Sequence, residues 1–207
     1  LVTLIGGRIV PSFTRNWLVK RKVDDLPAPF GSVDRIALLS TLFALFSLVA
    51  VPNFVGTAAL CTLAGCANLI RLSRWSGLKA GPEPLLWILH VGYLFVPLGF
   101  LMVAVSIWDQ GLSPPVGAQH VWMAGAVGVM PLAMMTRASL GHAGRPLTAT
   151  RGVTLVYYLV LASVVLRFIA AFGPVPDWIL HASALSWMTG FAGFCILYWP
   201  ILTRPRS

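Results

Sequence analysis

The stretch 84–106 reads PLLWILHVGYLFVPLGFLMVAVS, and it decides the fold class. It contains no Asp, Glu, Lys or Arg, and its apolar residues run on without the alternation of a half-buried strand. About 20 apolar residues are enough for an α-helix to cross a hydrocarbon core ~30 Å thick. Backbone groups in lipid must be paired within the structure, so a continuous apolar run favours a helix. The stretch therefore predicts a transmembrane helix.

Five further apolar stretches of similar length lie on both sides of this one. Together they predict an all-α fold, a polytopic transmembrane helix bundle of six spans. The predicted spans are residues 34–52, 54–72, 84–106, 118–138, 152–172 and 179–201. They occupy most of the 207 residues, so we expect a single transmembrane domain, 1–207, with no separate soluble domain.

The basic residues alternate among the segments that connect the spans. They fall in the leading segment, the second and fourth connections and the tail, while the first, third and fifth connections have none. The positive-inside rule predicts this alternation when both chain ends are cytoplasmic. The exception is Arg167, inside the fifth span. The others are Arg8, Arg15, Lys20, Arg21, Lys22, Arg35, Arg71, Arg74, Lys79, Arg137, Arg145, Arg151, Arg204 and Arg206.

The composition excludes several classes of protein. Hydrophobic residues make up 57% of the chain and charged residues only 10%, whereas a soluble domain has about 25% charged residues. The net charge of +9 could suggest a nucleic-acid partner. The charges follow the topology, however, so cytoplasmic retention and attraction to anionic lipid explain them better. Cys61, Cys66 and Cys195 lie within spans, where we expect them to behave as small hydrophobic residues.

Residues 1–33 are expected to form a cytoplasmic connector ahead of the first span. Gly6, Gly7 and Pro11 predict a break in helical structure there. Residues 1–5 resemble the cytoplasmic end of an earlier span. We therefore expect the sequence to be a fragment of a longer chain.

The four histidines are the candidate metal ligands. His90 lies inside the third span, His120 and His181 lie at the outer ends of the fourth and sixth spans, and His142 follows the inner end of the fourth. Depth permits two pairs, His120 with His181 and His90 with His142. Imidazole binds haem iron and copper, and an ionisable group within lipid is costly enough to suggest a function. The alternative, a hydrogen-bonded or interfacial histidine, is more frequent.

Arg167 and the methionines are further candidates. Arg167 could extend to the outer interface and meet Asp177, or it could bind an anionic cofactor group such as a haem propionate. Thioethers can bind cuprous copper, although methionines in membrane helices more often serve packing. The methionines in question are Met123, Met130, Met134 and Met135.

Two motifs resemble a known family. Residues 120–147 read HVWMAGAVGVMPLAMMTRASLGHAGRPL, and residues 6–16 read GGRIVPSFTRN. Both are similar to elements of the NnrS family, and His90 within LHVGY fits a third, weaker element. The resemblance covers essentially the whole chain. Pro131 departs from the pattern, because the family more often has another residue there, and it could kink the fourth span.

The resemblance implies a multi-span protein of the bacterial cytoplasmic membrane that contains haem and copper. It also implies a link to nitric oxide metabolism, denitrification and nitrosative stress, and that this chain is the C-terminal half. Under this resemblance His90, His120 and His142 become metal-ligand candidates, and Arg137 and Arg145 become anchors for anionic groups. His181 lies in no matched element.

Two other functions stay open on the sequence. Helices interrupted by glycine and proline, such as the third span, suit a transporter. An assembly or scaffold protein with no metal of its own is the other. Neither a nucleophile beside a base nor a pair of carboxylates can be identified in the spans, so the sequence gives no evidence of catalysis.

Overall fold

The computed structural model describes residues 1–109 and 114–203, and this part of the chain is helical with no strand. Arg204 and Arg206 lie outside the described residues. A π-helical turn, Val2–Gly6, leads into the first of seven longer helices, and a short 3-10 helix, Gly77–Ala80, lies between the third and fourth of them. The helices are α1 (Gly7–Lys20), α2 (Ser32–Ala50), α3 (Val55–Ser73), α4 (Pro84–Trp108), α5 (Pro115–His142), α6 (Arg151–Ile169) and α7 (Asp177–Thr203).

The predicted bundle of six spans is confirmed, since helices α2 to α7 are each long and apolar enough to cross a membrane. Each predicted span overlaps one of these helices, and the ends differ by a few residues. The fourth shows the largest difference, because α5 extends from Pro115 to His142 instead of 118–138. The placement of both chain ends in the cytoplasm stays a prediction.

Helix α4 lies at the centre of the bundle and α7 at its edge. In the most apolar window of α4, 56% of the residues are buried, against 11% in α7. Glycines let α4 and α5 approach closely: Trp122 packs on Gly99 and Phe95 on Gly125. The indole N–H of Trp122 donates to the Val96 carbonyl at 3.0 Å. Small residues at such crossings are the usual means of helix association in lipid.

The predicted break at Gly6, Gly7 and Pro11 is wrong, because residues 2–20 are helical throughout. Pro11 has no N–H to donate to the Gly7 carbonyl one turn earlier. That carbonyl instead accepts from Arg71 Nη2 at 3.4 Å. A side chain from α3 thus replaces the missing backbone bond, and the helix continues.

Helix α5 has a π-helical segment, Val121–Val129, in its first half. The α-helical geometry resumes at Met130, one residue before Pro131. Long π-helical segments are rare and often mark functional regions. Pro131 therefore stands where the helix changes its geometry.

Candidate functional site

Two arginines that the charge pattern placed beside the spans are buried. Arg71 is fully buried and Arg137 is 6% exposed. A charge removed from water needs partners to offset its desolvation, so the partners of each arginine show its role.

Every nitrogen of the Arg71 guanidinium has an acceptor. Its Nε donates to Asp34 Oδ1 at 2.9 Å. Its Nη1 donates to the Thr3 carbonyl at 2.9 Å and to the Tyr93 hydroxyl at 3.0 Å. Its Nη2 donates to the Gly7 carbonyl. These bonds tie the N-terminal helix to α2, α3 and α4.

The same network continues into the bundle. The Tyr93 hydroxyl donates to Asn68 Oδ1 at 2.6 Å, and Asn68 Nδ2 donates to Thr41 Oγ1 at 2.9 Å and to the Ala64 carbonyl at 2.8 Å. A polar network whose members are all paired stabilises and specifies a fold. The sequence reasoning missed it, although Asn68 and Arg71, three apart on one face of an apolar helix, were a usable signal.

Arg137 lies in a different setting, a cleft of about 1020 Å³ between α1, the end of α5 and the connection that follows it. We call this the Arg137 cleft. Its lining includes the aromatic side chains Phe13 and Trp17, the thioether of Met134 and the imidazole of His142. Its basic lining residues are Arg15, Lys20, Arg21 and Arg137, and no described lining residue is acidic.

The guanidinium of Arg137 lies over the Phe13 ring, with Cζ 4.5 Å from the ring centroid. Its Nη1 is buried and has no hydrogen-bond partner. Among the buried side-chain nitrogen and oxygen atoms of the described residues, only the Tyr198 hydroxyl shares this condition. An unpaired buried donor is costly. Arg137 therefore has a buried N–H group that lacks an acceptor, and the residue lines this cleft.

Glu83 holds one wall of the Arg137 cleft in place. Its carboxylate is 5% exposed, and its Oε1 accepts from the backbone N–H groups of Leu85 and Ala149, each at 3.1 Å. The first bond caps α4, and the second fixes the connection that carries Leu147 and Thr148, both of which line the cleft. One carboxylate thus joins the start of α4 to the cleft wall.

A second, smaller cleft of about 410 Å³ lies between α5, α6 and α7. We call it the His120 cleft. Arg167 Nε donates to His120 Nε2 at 2.8 Å. The other ring nitrogen, Nδ1, is 2.6 Å from the Val116 carbonyl, which can only accept, so Nδ1 carries the proton. The described residues contain no ion pair between Arg167 and Asp177.

The other predicted site residues line neither cleft. His90 is 8% exposed, with Nδ1 3.1 Å from the Leu86 carbonyl and Nε2 3.4 Å from Thr14 Oγ1. Gly77 packs directly on its ring. His181 and Arg145 are exposed. The structure thus places His142 with Arg137 and His120 with Arg167, and neither cleft contains both members of a histidine pair proposed from depth.

In the described residues, no three His, Cys, Asp or Glu side chains come together in a way that could hold a metal ion. Any metal held by these residues would need a smaller donor set, a methionine or a cofactor that brings its own ligands.

The comparisons with known proteins agree with the motif reading. The family model described as "NnrS protein" matches residues 1–206, and no curated protein or solved structure matches the chain. The matched region contains both motifs, the Arg137 cleft and the His120 cleft. The chain therefore belongs to the NnrS family, whose members are membrane proteins linked to nitric oxide.

Proposed function

We propose that this chain is a haem-binding protein of the bacterial cytoplasmic membrane that acts in nitric oxide metabolism and the response to nitrosative stress. The haem would lie in the Arg137 cleft. One observation carries this assignment: Arg137, whose buried Nη1 has no acceptor, is a lining residue of a cleft that also contains an imidazole.

The residues of the cleft suit a porphyrin. Phe13 and Trp17 offer aromatic surface, and His142 and Met134 are side chains of the types that ligate haem iron. Arg137 can bind one propionate through charge-assisted hydrogen bonds, while Arg15, Lys20 and Arg21 surround the rim. When bound, the haem supplies an iron centre that binds diatomic gases.

The protein's own contribution is to position and enclose this group. Phe13 packs beneath the Arg137 guanidinium and limits the directions in which its N–H groups can point. Glu83 fixes the connection whose residues Leu147 and Thr148 form another wall of the cleft. Helix α1 supplies the remaining wall, and its attachment to α3 through Arg71 keeps it against the bundle.

Copper is implied by the resemblance, and the described residues do not provide a histidine-rich site for it. We assign no copper ligands and derive no step through that metal. The metal roles predicted for His90 and His181, and the anchoring role predicted for Arg145, stay predictions.

The test is haem content of the full chain purified in detergent. We expect a Soret band in the unaltered protein. Arg137→Gln should weaken haem binding by about tenfold or more, because a charge-assisted bond to a carboxylate is lost. His142→Ala should shift or abolish the band. Arg151→Gln, which removes an exposed arginine outside the cleft, is the matched control.

Two results would contradict the proposal. The first is an unchanged haem content and spectrum in the Arg137→Gln/His142→Ala double variant. The second is a metal-free, haem-free protein that still moves a solute in proteoliposomes or still supports a partner enzyme, which would favour the transporter or the scaffold.

A further inference from the structure

We infer that His120 positions Arg167 instead of ligating a metal, and that Arg167 binds the phosphate of a membrane phospholipid in the His120 cleft. The inference is independent of the haem assignment. It concerns the other end of α5 and a different set of side chains.

Both ring nitrogens of His120 are already engaged. Nδ1–H donates to the Val116 carbonyl one helical turn earlier, and this bond fixes the tautomer. The lone pair on Nε2 is then the only one that a metal could use. It accepts from Arg167 Nε at 2.8 Å. A metal ion at Nε2 would have to displace a guanidinium and would be repelled by its charge.

The consequence of this bond falls on Arg167. Arginine has five N–H donors in a rigid planar fork, and His120 takes the one on Nε. The bond holds the plane of the guanidinium while Nη1 and Nη2 stay on the terminal edge, the geometry that matches two oxygens of a phosphate. Arg167 is half-buried and lines the His120 cleft.

The rest of the cleft provides no counter-charge. No described lining residue is acidic. Its two hydroxyl groups belong to Ser163 and Ser183, which bond to each other. Ser183 Oγ donates to the Ser163 carbonyl at 2.9 Å, and the two hydroxyl oxygens are 3.3 Å apart. The other walls are apolar and include Met123, Leu180, Trp187 and Met188. An anion with an apolar body would match both the charge and the walls.

Position along the helix identifies that anion. Arg167 lies two residues before Ile169, the last residue of α6, so it stands near the end of a predicted span. Phospholipid phosphates lie near the ends of membrane spans, with acyl chains beneath them. A phospholipid would match the cleft if Arg167 bound its phosphate and part of an acyl chain packed against Met123 and Leu180.

The test uses the full chain in detergent, with phosphatidylglycerol as the probe and native mass spectrometry and thermal stabilisation as readouts. Arg167→Gln should lower lipid binding by about tenfold. His120→Ala should lower it by about threefold to tenfold, because the guanidinium loses its orientation. His120→Gln should restore most of it, since the amide oxygen can accept from Nε. Arg151→Gln, which removes an exposed arginine of the same helix outside the cleft, is the control.

Iron and copper content per chain is measured on the same samples. We expect both to be unchanged in His120→Ala and His120→Gln. Loss of either metal in both variants would overturn the positioning role. Equal lipid binding by Arg167→Gln and the unaltered protein would overturn the phospholipid site, as would equal stabilisation by inorganic phosphate alone. Failure of the haem proposal would appear separately, as a missing Soret band with the lipid results intact.

Discussion

Arg71 and Arg137 occupy similar places in the sequence and opposite situations in the structure. Each lies near the predicted cytoplasmic end of an apolar span, and each is buried. Arg71 donates to four partners, whereas Arg137 keeps a buried N–H with none. A satisfied buried charge holds helices together, and an unsatisfied one indicates where a ligand belongs.

The difference arises from what faces each guanidinium. Arg71 meets a carboxylate, a phenol and two main-chain carbonyls, one of which Pro11 leaves without its helical donor. Arg137 meets the face of Phe13. The carboxylate of Glu83 is also buried, and its Oε1 is committed to two backbone N–H groups.

The largest loss of free energy of unfolding is expected from Arg71→Met. It leaves the buried Asp34 carboxylate without its main partner, and breaking one side of a buried ion pair costs about 3–5 kcal/mol. Reversible unfolding of the full chain in mixed micelles measures this loss. The Arg71→Met/Asp34→Asn double variant should recover part of it. A loss below that of an exposed control such as Arg151→Gln would refute the structural role of the network.

Gly7→Ala should have the next largest effect. An added methyl group would overlap the Arg71 guanidinium, which its four acceptors prevent from moving aside, and overpacking of this kind costs about 1–3 kcal/mol. Gly81→Ala is the matched control, because its nearest neighbour would be the Leu78 carbonyl oxygen at 3.5 Å. The same unfolding assay applies, and equal stability of the two variants would contradict the close approach of α1 and α3.

Two buried tyrosines test the same difference between a buried polar group that has partners and one that has none. Tyr93→Phe removes a hydroxyl that bridges Arg71 and Asn68, so we expect a loss of about 1–3 kcal/mol from the groups left unpaired. Tyr198→Phe removes a buried hydroxyl with no partner and should change stability by less than about 0.5 kcal/mol. Paired chemical unfolding curves check both, and a similar loss for both would show that the Tyr198 hydroxyl has a partner.

A similarly small effect on stability is expected from Arg137→Met in haem-free protein. The substitution removes a buried charge whose desolvation is not fully offset, so stability should change by less than about 1 kcal/mol or rise slightly. The same substitution should strongly weaken haem binding when the haem-free protein is titrated with haem. Destabilisation as strong as that of Arg71→Met would show that Arg137, like Arg71, holds helices together.

Much of the fold could be predicted because hydropathy and charge are local properties. The continuous run at 84–106 and its five counterparts gave six spans that the structure confirms. The helical break at Gly6, Gly7 and Pro11 was mispredicted for a nonlocal reason. The acceptor left free by Pro11 is satisfied by Arg71, which is 64 residues away in the chain.

The candidate sites were predicted in part. Motif resemblance indicated His120, His142 and Arg137, and depth suggested that histidines would pair with each other. The bond from Arg167 to His120 joins residues 47 apart in the chain, and helix depth alone does not specify which face each side chain occupies. Asp34 and Tyr93 were not considered as site residues, because a single carboxylate or phenol in an apolar helix has no local signature of its partner.

The sequence by itself determined that this is a bundle of six apolar helices with basic flanks and that it carries the motifs of the NnrS family. The transfer of apolar side chains into lipid is nearly additive along the chain, so it can be summed from the residues alone. Only the tertiary structure decided which buried arginine is saturated, which one lacks an acceptor, and which histidine holds an arginine. Hydrogen bonds depend on distances of about 3 Å between groups far apart in sequence, and helix packing sets those distances.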